Sequence, residues 1–208
     1  ALTSDGDVAC WGSNNHGQLG INSTTARSLP TAITTTGTPL SGKTITQLSV
    51  NGSHTCALTS DAILACWGDD TNGQIGDGST SGDHLVPTAV TTASTPLSGK
   101  TISAVTTGAA HTCALASDGT LACWGLQTDG RLGNSSSSAA DIETPTAVTV
   151  SGTALSGLTI NAIDAGVAHT CARATSNALV CWGLNTSGQL GNGSTTSSNE
   201  AVSVTVSG

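Results

Sequence analysis

Hydrophobic positions in this chain alternate with small or polar ones over short runs, the two-residue period of a half-buried strand rather than the period of a helix. The stretch from His111 to Trp124 shows the pattern best. It reads His-Thr-Cys-Ala-Leu-Ala, then Ser117-Asp118-Gly119, then Thr-Leu-Ala-Cys-Trp. Positions 113 and 123 are equidistant from Asp118, and so are 115 and 121. An antiparallel hairpin with a three-residue loop sets such pairs opposite each other. Side chains alternate faces along a strand, so Cys113, Leu115, Leu121 and Cys123 share one face, which is predicted to be buried. The same reasoning groups Cys56, Leu58, Leu64 and Cys66. A further strand is predicted before each His, as in Thr101–Thr106, and another after each Pro, as in Thr146–Val150. A Gly, Ser and Pro-rich connection such as Ser94–Lys100 runs between them. Four short strands per unit fit a propeller blade.

The unit recurs. Cys-Trp-Gly stands at Cys10, Cys66, Cys123 and Cys181, at spacings of 56, 57 and 58 residues. Gly-Gln-Leu-Gly or a variant follows each, ending at Gly20, Gly76, Gly133 and Gly191. His-Thr-Cys precedes three of them, at His54, His111 and His169, behind Gly52, Gly108 and Gly166. Pro30, Pro87 and Pro145 follow three of the Gly-rich motifs, and Ala201 takes that place in the fourth. Residues 1–208 therefore read as one repeat domain, with approximate blades 1–50, 51–107, 108–165 and 166–208. One such sheet cannot hide both faces, and stacking on its neighbours completes the core.

The seven cysteines sharpen this reading. Six form ten-residue offsets: Cys56 with Cys66, Cys113 with Cys123 and Cys171 with Cys181. Opposed residues of paired strands have the short Cβ separation a disulfide needs. Cys10 would need a partner one place before Ala1 and is expected to pair outside residues 1–208. The competing reading is zinc held by His111, Cys113 and Cys123, although the usual close-spaced Cys pairs are lacking. Disulfides imply an oxidising compartment, so an extracellular or cell-surface location is expected.

Composition narrows the function classes. The chain has no Met, Phe or Tyr, and only 9% of its residues are charged. Gly and β-branched residues disfavour long helices. Thirteen acids face five bases, and the bases form no run, so neither nucleic acid nor an anionic membrane surface is an expected partner. No apolar stretch is long enough for a transmembrane helix, so no membrane insertion is expected.

The order Gly-x-x-His-Thr-Cys-Ala-Leu, Asp-Gly, Cys-Trp-Gly, Gly-Gln-Leu-Gly resembles the repeat of the regulator of chromosome condensation family, and the resemblance covers the whole chain. It implies an all-β propeller of about four visible four-stranded blades, in a family whose rings typically have seven, or a longer open array. It also implies structural roles for the Gly, His and Trp residues. The founding member is a nuclear exchange factor for a small GTPase. Paired Cys and a Lys-poor, acidic composition fit a secreted, bacterial-type member better. Three departures stand out. Asp-Gly at the hairpin tip becomes Asp61-Ala62 and Asn177-Ala178, Arg173 replaces the Leu of Leu58 and Leu115, and four units are fewer than a seven-bladed ring requires.

No catalytic constellation is expected, because the Ser, His and Asp residues recur as repeated copies, and no cofactor is expected. Asp69, Asp70, Asn72 and Asp77 superficially resemble a calcium loop but align with the ordinary turn of the other units and lack its terminal acidic ligand, so no metal is assigned. His16 and His84 are unrepeated. Asn22, Asn134 and Asn192 begin Asn-x-Ser/Thr triplets in predicted loops and are candidate glycosylation sites. The function expected is a non-enzymatic extracellular scaffold for protein or surface binding through the loops 13–16, 79–86 and 135–143. The alternative is a self-associating subunit of a filament or surface layer. An intracellular exchange factor is the third reading.

Overall fold

The computed structural model describes residues 1–136 and 138–205. Three four-stranded antiparallel sheets follow one another along the chain. The first holds β3 (Ile45–Asn51), β4 (His54–Thr59), β5 (Leu64–Gly68) and β6 (His84–Ala89). The second holds β7 (Ile102–Thr107), β8 (His111–Ala116), β9 (Leu121–Gly125) and β10 (Ile142–Ala147). The third holds β11 (Ile160–Ala165), β12 (His169–Ala174), β13 (Leu179–Gly183) and β14 (Ser198–Ser203). Ahead of them, β1 (Ala9–Gly12) pairs with β2 (Arg27–Ala32), and a bridge joins Leu2 to Val8. This is the architecture of a partial propeller.

Each sheet begins one strand ahead of the boundaries drawn from the motifs at 51, 108 and 166. The strand before each His is hydrogen-bonded to the His strand across a tight turn, as Asn51 is to His54. The outer strand also differs from the expected one. It contains the Pro rather than following it, at Pro30 in β2, Pro87 in β6 and Pro145 in β10. Proline has no N–H for a ladder, so it is tolerated at a sheet edge, which is where these strands lie.

The central hairpins have the predicted register. Cys113 faces Cys123 and Leu115 faces Leu121, and the other two units repeat this with Cys56–Cys66 and Cys171–Cys181. All three pairs are disulfides, with Cα atoms 4.1 Å apart. Closing a loop of this length stabilises a chain by about 3 kcal/mol. The sulfurs thus displace the zinc reading of His111, Cys113 and Cys123. Cys10 is the one free cysteine among the described residues and is buried. Burial pushes its thiol pKa up. The partner expected for Cys10 falls outside the described residues.

The hairpin tip is stricter than the sequence implied. Gly6, Ala62, Gly119 and Asn177 all adopt positive φ, between 65° and 87°. Asn177 rather than Ala178 therefore stands where Gly119 does. Asn tolerates the left-handed region well, and Ala62 marks the one unit where the conformation is held against residue preference.

Stacking gives the array a direction. The Cys and Leu face of one sheet meets the Ala and Trp face of the next. Cys56, Leu58, Leu64 and Cys66 pack with Ala114, Ala122 and Trp124. Cys113, Leu115, Leu121 and Cys123 pack with Ala172, Val180 and Trp182. Covered on both faces, β4 and β8 are buried at every residue. Small Ala side chains let the sheets approach, and one Trp per unit fills the remaining space. The same polarity explains Arg173. It occupies the Leu position on the outer face of the last sheet and is solvent-exposed, as is Leu179.

Candidate functional site

The two ends of the sheets carry different chemistry. At one end, the hairpin tips meet the connections between sheets. Lys43 Nζ donates to Asp61 at 2.6 Å, and Lys100 forms the equivalent ion pair with Asp118. These pairs lower the pKa of both carboxyls, that of Asp118 to about 2, with the lysine hydrogen bond as the largest cause. Both carboxylates are exposed, and such pairs contribute little to stability.

At the opposite end, long loops join the third and fourth strands of each unit, at 13–26, 69–83, 126–141 and 184–197. Three of them are each tied to the outer strand of the next unit. The backbone N–H of Asn22 donates to Leu85 O at 2.9 Å, that of Gly78 to Glu143 O at 3.0 Å, and that of Ser135 to Asn199 O at 3.0 Å. The loops 13–16 and 79–86 and the described part of 135–143, residues 135–136 and 138–143, lie at this same end, the loop band.

Beneath the band, a hydrogen-bonded seam repeats from sheet to sheet. His54 Nε2 lies 2.9 Å from Thr112 Oγ1, which donates to Gln74 O at 2.8 Å, and Trp124 Nε1 donates to the same carbonyl at 3.0 Å. His111, Thr170, Arg131 O and Trp182 form the same chain of contacts, at 2.9, 3.2 and 3.0 Å. Because each Thr hydroxyl gives its proton to the carbonyl, the imidazole Nε2 must be the donor to it. With Nδ1 buried and without a hydrogen-bond partner in both rings, the neutral form with Nδ1 unprotonated is favoured. Burial holds their pKa down, to about 4 for His54 and about 3 for His111, where Arg131 adds a smaller push in the same direction. The Gly-Gln-Leu-Gly motif supplies the close approach. A Cβ at Gly20, Gly76 or Gly133 would stand 2.4–2.7 Å from the indole nitrogen of the next unit's Trp.

The second residue after each Cys-Trp-Gly anchors the loop above, a role not read from the sequence. Asn14 and Asn185 are fully buried. Each takes the backbone N–H five residues on with its oxygen, at 2.9 Å. With its nitrogen, Asn14 donates to Ser23 O and Thr25 O, and Asn185 donates to Ser194 O, Thr196 O and Asn192 Oδ1. Gln127 pairs with Asn134 in the third unit at 3.3 and 3.4 Å. The signal was present as a run of amides at this position, broken once by Asp70.

In the second unit the arrangement changes. Asp70 Oδ1 accepts from Ile75 N at 2.9 Å, as the oxygens of Asn14 and Asn185 do from their own loops. Its Oδ2 is buried without a hydrogen-bond partner, and so is His84 Nε2. His84 Nε2 lies 3.5 Å from Asp70 Oδ2 and 3.3 Å from Asp77 Oδ2, while its Nδ1 is 3.0 Å from Thr88 Oγ1. The carboxylates raise the His84 pKa, Asp70 most of all. Of the four residues resembling a calcium loop, only Asp70 and Asp77 converge. Asp69 caps Thr71 N, and Asn72 turns toward Thr71. A second, more exposed group lies nearby, where His16 Nδ1 meets Asp83 at 3.0 Å with Asp69 beside them.

Among the candidate glycosylation sites, Asn22 is exposed. Asn134 is half-buried, with its amide engaged by Gln127, and Asn192 Oδ1 accepts from Asn185. Hydrogen bonding within the loops thus engages the side-chain nitrogen of Asn134, while at Asn192 it engages the oxygen.

The regulator of chromosome condensation (RCC1) repeat matches residues 5–58 and 66–115, and a second form of the same repeat matches 45–74, 102–131 and 160–189. The chain belongs to the RCC1 repeat family. It is 32% identical to the ultraviolet-B receptor UVR8 of Arabidopsis thaliana over 98% of its own length and 44% of the receptor's. It is also 32% identical to the E3 ubiquitin-protein ligase HERC2 of Homo sapiens over 91% of the chain and 4% of that protein. The chain thus spans less than half of these curated relatives. Among solved structures, human WBSCR16 covers all of the RCC1-type chain with a TM-score of 0.86 at 24% identity, over 50% of its own length. Prp20p of Saccharomyces cerevisiae, described with its binding to Gsp1p and histones, gives 0.77 at 20% identity over 99% of the chain and 48% of its own. At these identities the structural likeness bears on fold alone. No helix among the described residues is long and apolar enough to cross a membrane.

Proposed function

We propose that this RCC1-repeat chain is a non-enzymatic extracellular scaffold that binds a protein partner through the loop band. One observation carries the reading: the seam between sheets repeats contact for contact, while the loops above it differ from unit to unit. Uniform packing fixes the loops rigidly, and their variation is free to encode recognition. The band presents Asp69, Asp83, Asp129 and Asp141 at its surface, so a partner with a basic surface is favoured. The three disulfides support an oxidising, extracellular setting.

A second reading, self-assembly, is supported by the array's direction. Trp11 is 51% exposed on the Ala and Trp face of the first unit, and Leu179 is 45% exposed on the Cys and Leu face of the last. These are the two halves of the contact that is buried between every other pair of units.

Site-specific photo-crosslinkers test the choice. Placed at Thr80 and Ser138 they are expected to capture the partner from native extracellular material, and placed at Asp61 and Asp118 they are expected not to. Capture from the hairpin tips alone would reject the loop band, and capture of a second copy through Trp11 or Leu179 would favour self-assembly.

A further inference from the structure

We propose that Asp70, Asp77 and His84 form a divalent transition-metal site, best suited to zinc, that locks the loop of the second unit. The neighbouring units show what is missing there. In the fourth unit, the Asn185 nitrogen donates to Asn192 Oδ1 and also to Ser194 O and Thr196 O. The third uses the amide pair Gln127 and Asn134. At the same two positions the second unit has carboxylates, Asp70 and Asp77. Counted from Asp70, the carbonyls that accept from Asn185 correspond to those of Ser79 and Ser81. A carboxylate has no proton to give them. Two like charges converging on one point need a cation between them.

Burial and spacing favour a metal as that cation. Asp70 is fully buried, and its Oδ2 and His84 Nε2 are both enclosed without hydrogen-bond partners. The His84 contacts of 3.3 and 3.5 Å are long for a charge-assisted hydrogen bond. They match the donor separation around tetrahedral zinc, about 3.3 Å for bonds of about 2.0–2.1 Å. All three donor atoms lie within 4.8 Å of one another. Thr88 sits against His84 Nδ1 at 3.0 Å and orients the ring so that Nε2 points at the carboxylates. One imidazole and two carboxylates form a ligand set suited to zinc, with a fourth place for water or a loop carbonyl.

The test uses the oxidised, chelator-treated chain and zinc chloride, read by calorimetric titration and by thermal unfolding. About one zinc is expected per chain, with a raised unfolding midpoint. The substitutions Asp70→Asn and Asp77→Asn together restore the amide pair of the fourth unit. This variant is expected to bind zinc at least tenfold more weakly, with an unfolding midpoint in chelator equal to or above that of the parent. Asp83→Asn, whose side chain hydrogen-bonds His16 and supplies no ligand to the proposed site, is expected to change binding less than about twofold. No uptake at millimolar zinc would overturn the proposal and leave a simple His84 ion pair. So would uptake that survives the double substitution or is lost with Asp83→Asn.

Discussion

Truncating Trp124 to alanine is expected to lower the unfolding free energy by about 3–5 kcal/mol, while Trp11→Ala changes it by less than about 1 kcal/mol. Both residues belong to the same Cys-Trp-Gly motif and the same strand position. Trp124 is wholly buried between two sheets, over Gly76, in a cluster with Ile75, Leu97 and Val105. Its loss leaves a cavity that the disulfide-clipped hairpins on either side cannot collapse into. The lost hydrogen bond adds little, because Gln74 O keeps its second donor, Thr112. Among the described residues no unit packs over the Trp11 indole, which is half exposed. Urea unfolding of the oxidised chain checks the contrast. Equal losses at the two positions would mean that stacking between sheets does not build the core.

Acid is expected to destabilise the chain well before its carboxylates titrate. His54 and His111 have folded pKa values of about 4 and about 3, against 6.5 for a free imidazole. The unfolded chain therefore binds more protons than the folded one as pH falls below 6.5, so stability drops with falling pH. By pH 4 each histidine is expected to have withdrawn about 3 kcal/mol, at about 1.4 kcal/mol for each unit of difference. Protonation would put a proton on Nδ1, which has no acceptor in either ring's surroundings. Charge nearby modifies this without reversing it. Asp69 opposes the effect at His54, and Arg131, His54 and His169 reinforce it at His111. His84 acts in the opposite sense, because its raised pKa contributes stability below 6.5 that is lost as pH rises. Asp61 and Asp118 lose their contribution only as pH falls below the ordinary carboxylate range. Replacing His54 and His111 with Gln, whose amide can still donate to Thr112 and Thr170, should flatten the stability profile between pH 6.5 and 4. A flat profile in the parent chain would contradict the neutral, buried rings.

Much of the fold was legible because one motif is repeated. Alternation in His111–Trp124 fixed the hairpin register, and the ten-residue Cys offset fixed its cross-links, since both depend only on local strand geometry. The strand containing Pro87 was placed too late. A proline ordinarily argues against a strand, and only the tertiary arrangement shows that this one lies at an edge. Asn177 was misaligned by one place, because left-handed backbone is a property of position that Asn and Gly share. The direction of stacking, and with it the exposure of Arg173, depends on which face of one sheet meets which face of the next. The convergence of Asp70, Asp77 and His84 was hidden for a related reason. His84 opens the outer strand, and only the fold brings it back over the turn that holds Asp70.

The state of the cysteines tests the account most directly, because the hairpin clips and the extracellular setting both rest on them. Protein taken from its natural source without reductant should be acid-quenched, alkylated and digested. Peptides joining Cys56 to Cys66, Cys113 to Cys123 and Cys171 to Cys181 are the predicted result, with none of these six carrying the alkyl label. Six labelled thiols, or cross-links between different units, would contradict it.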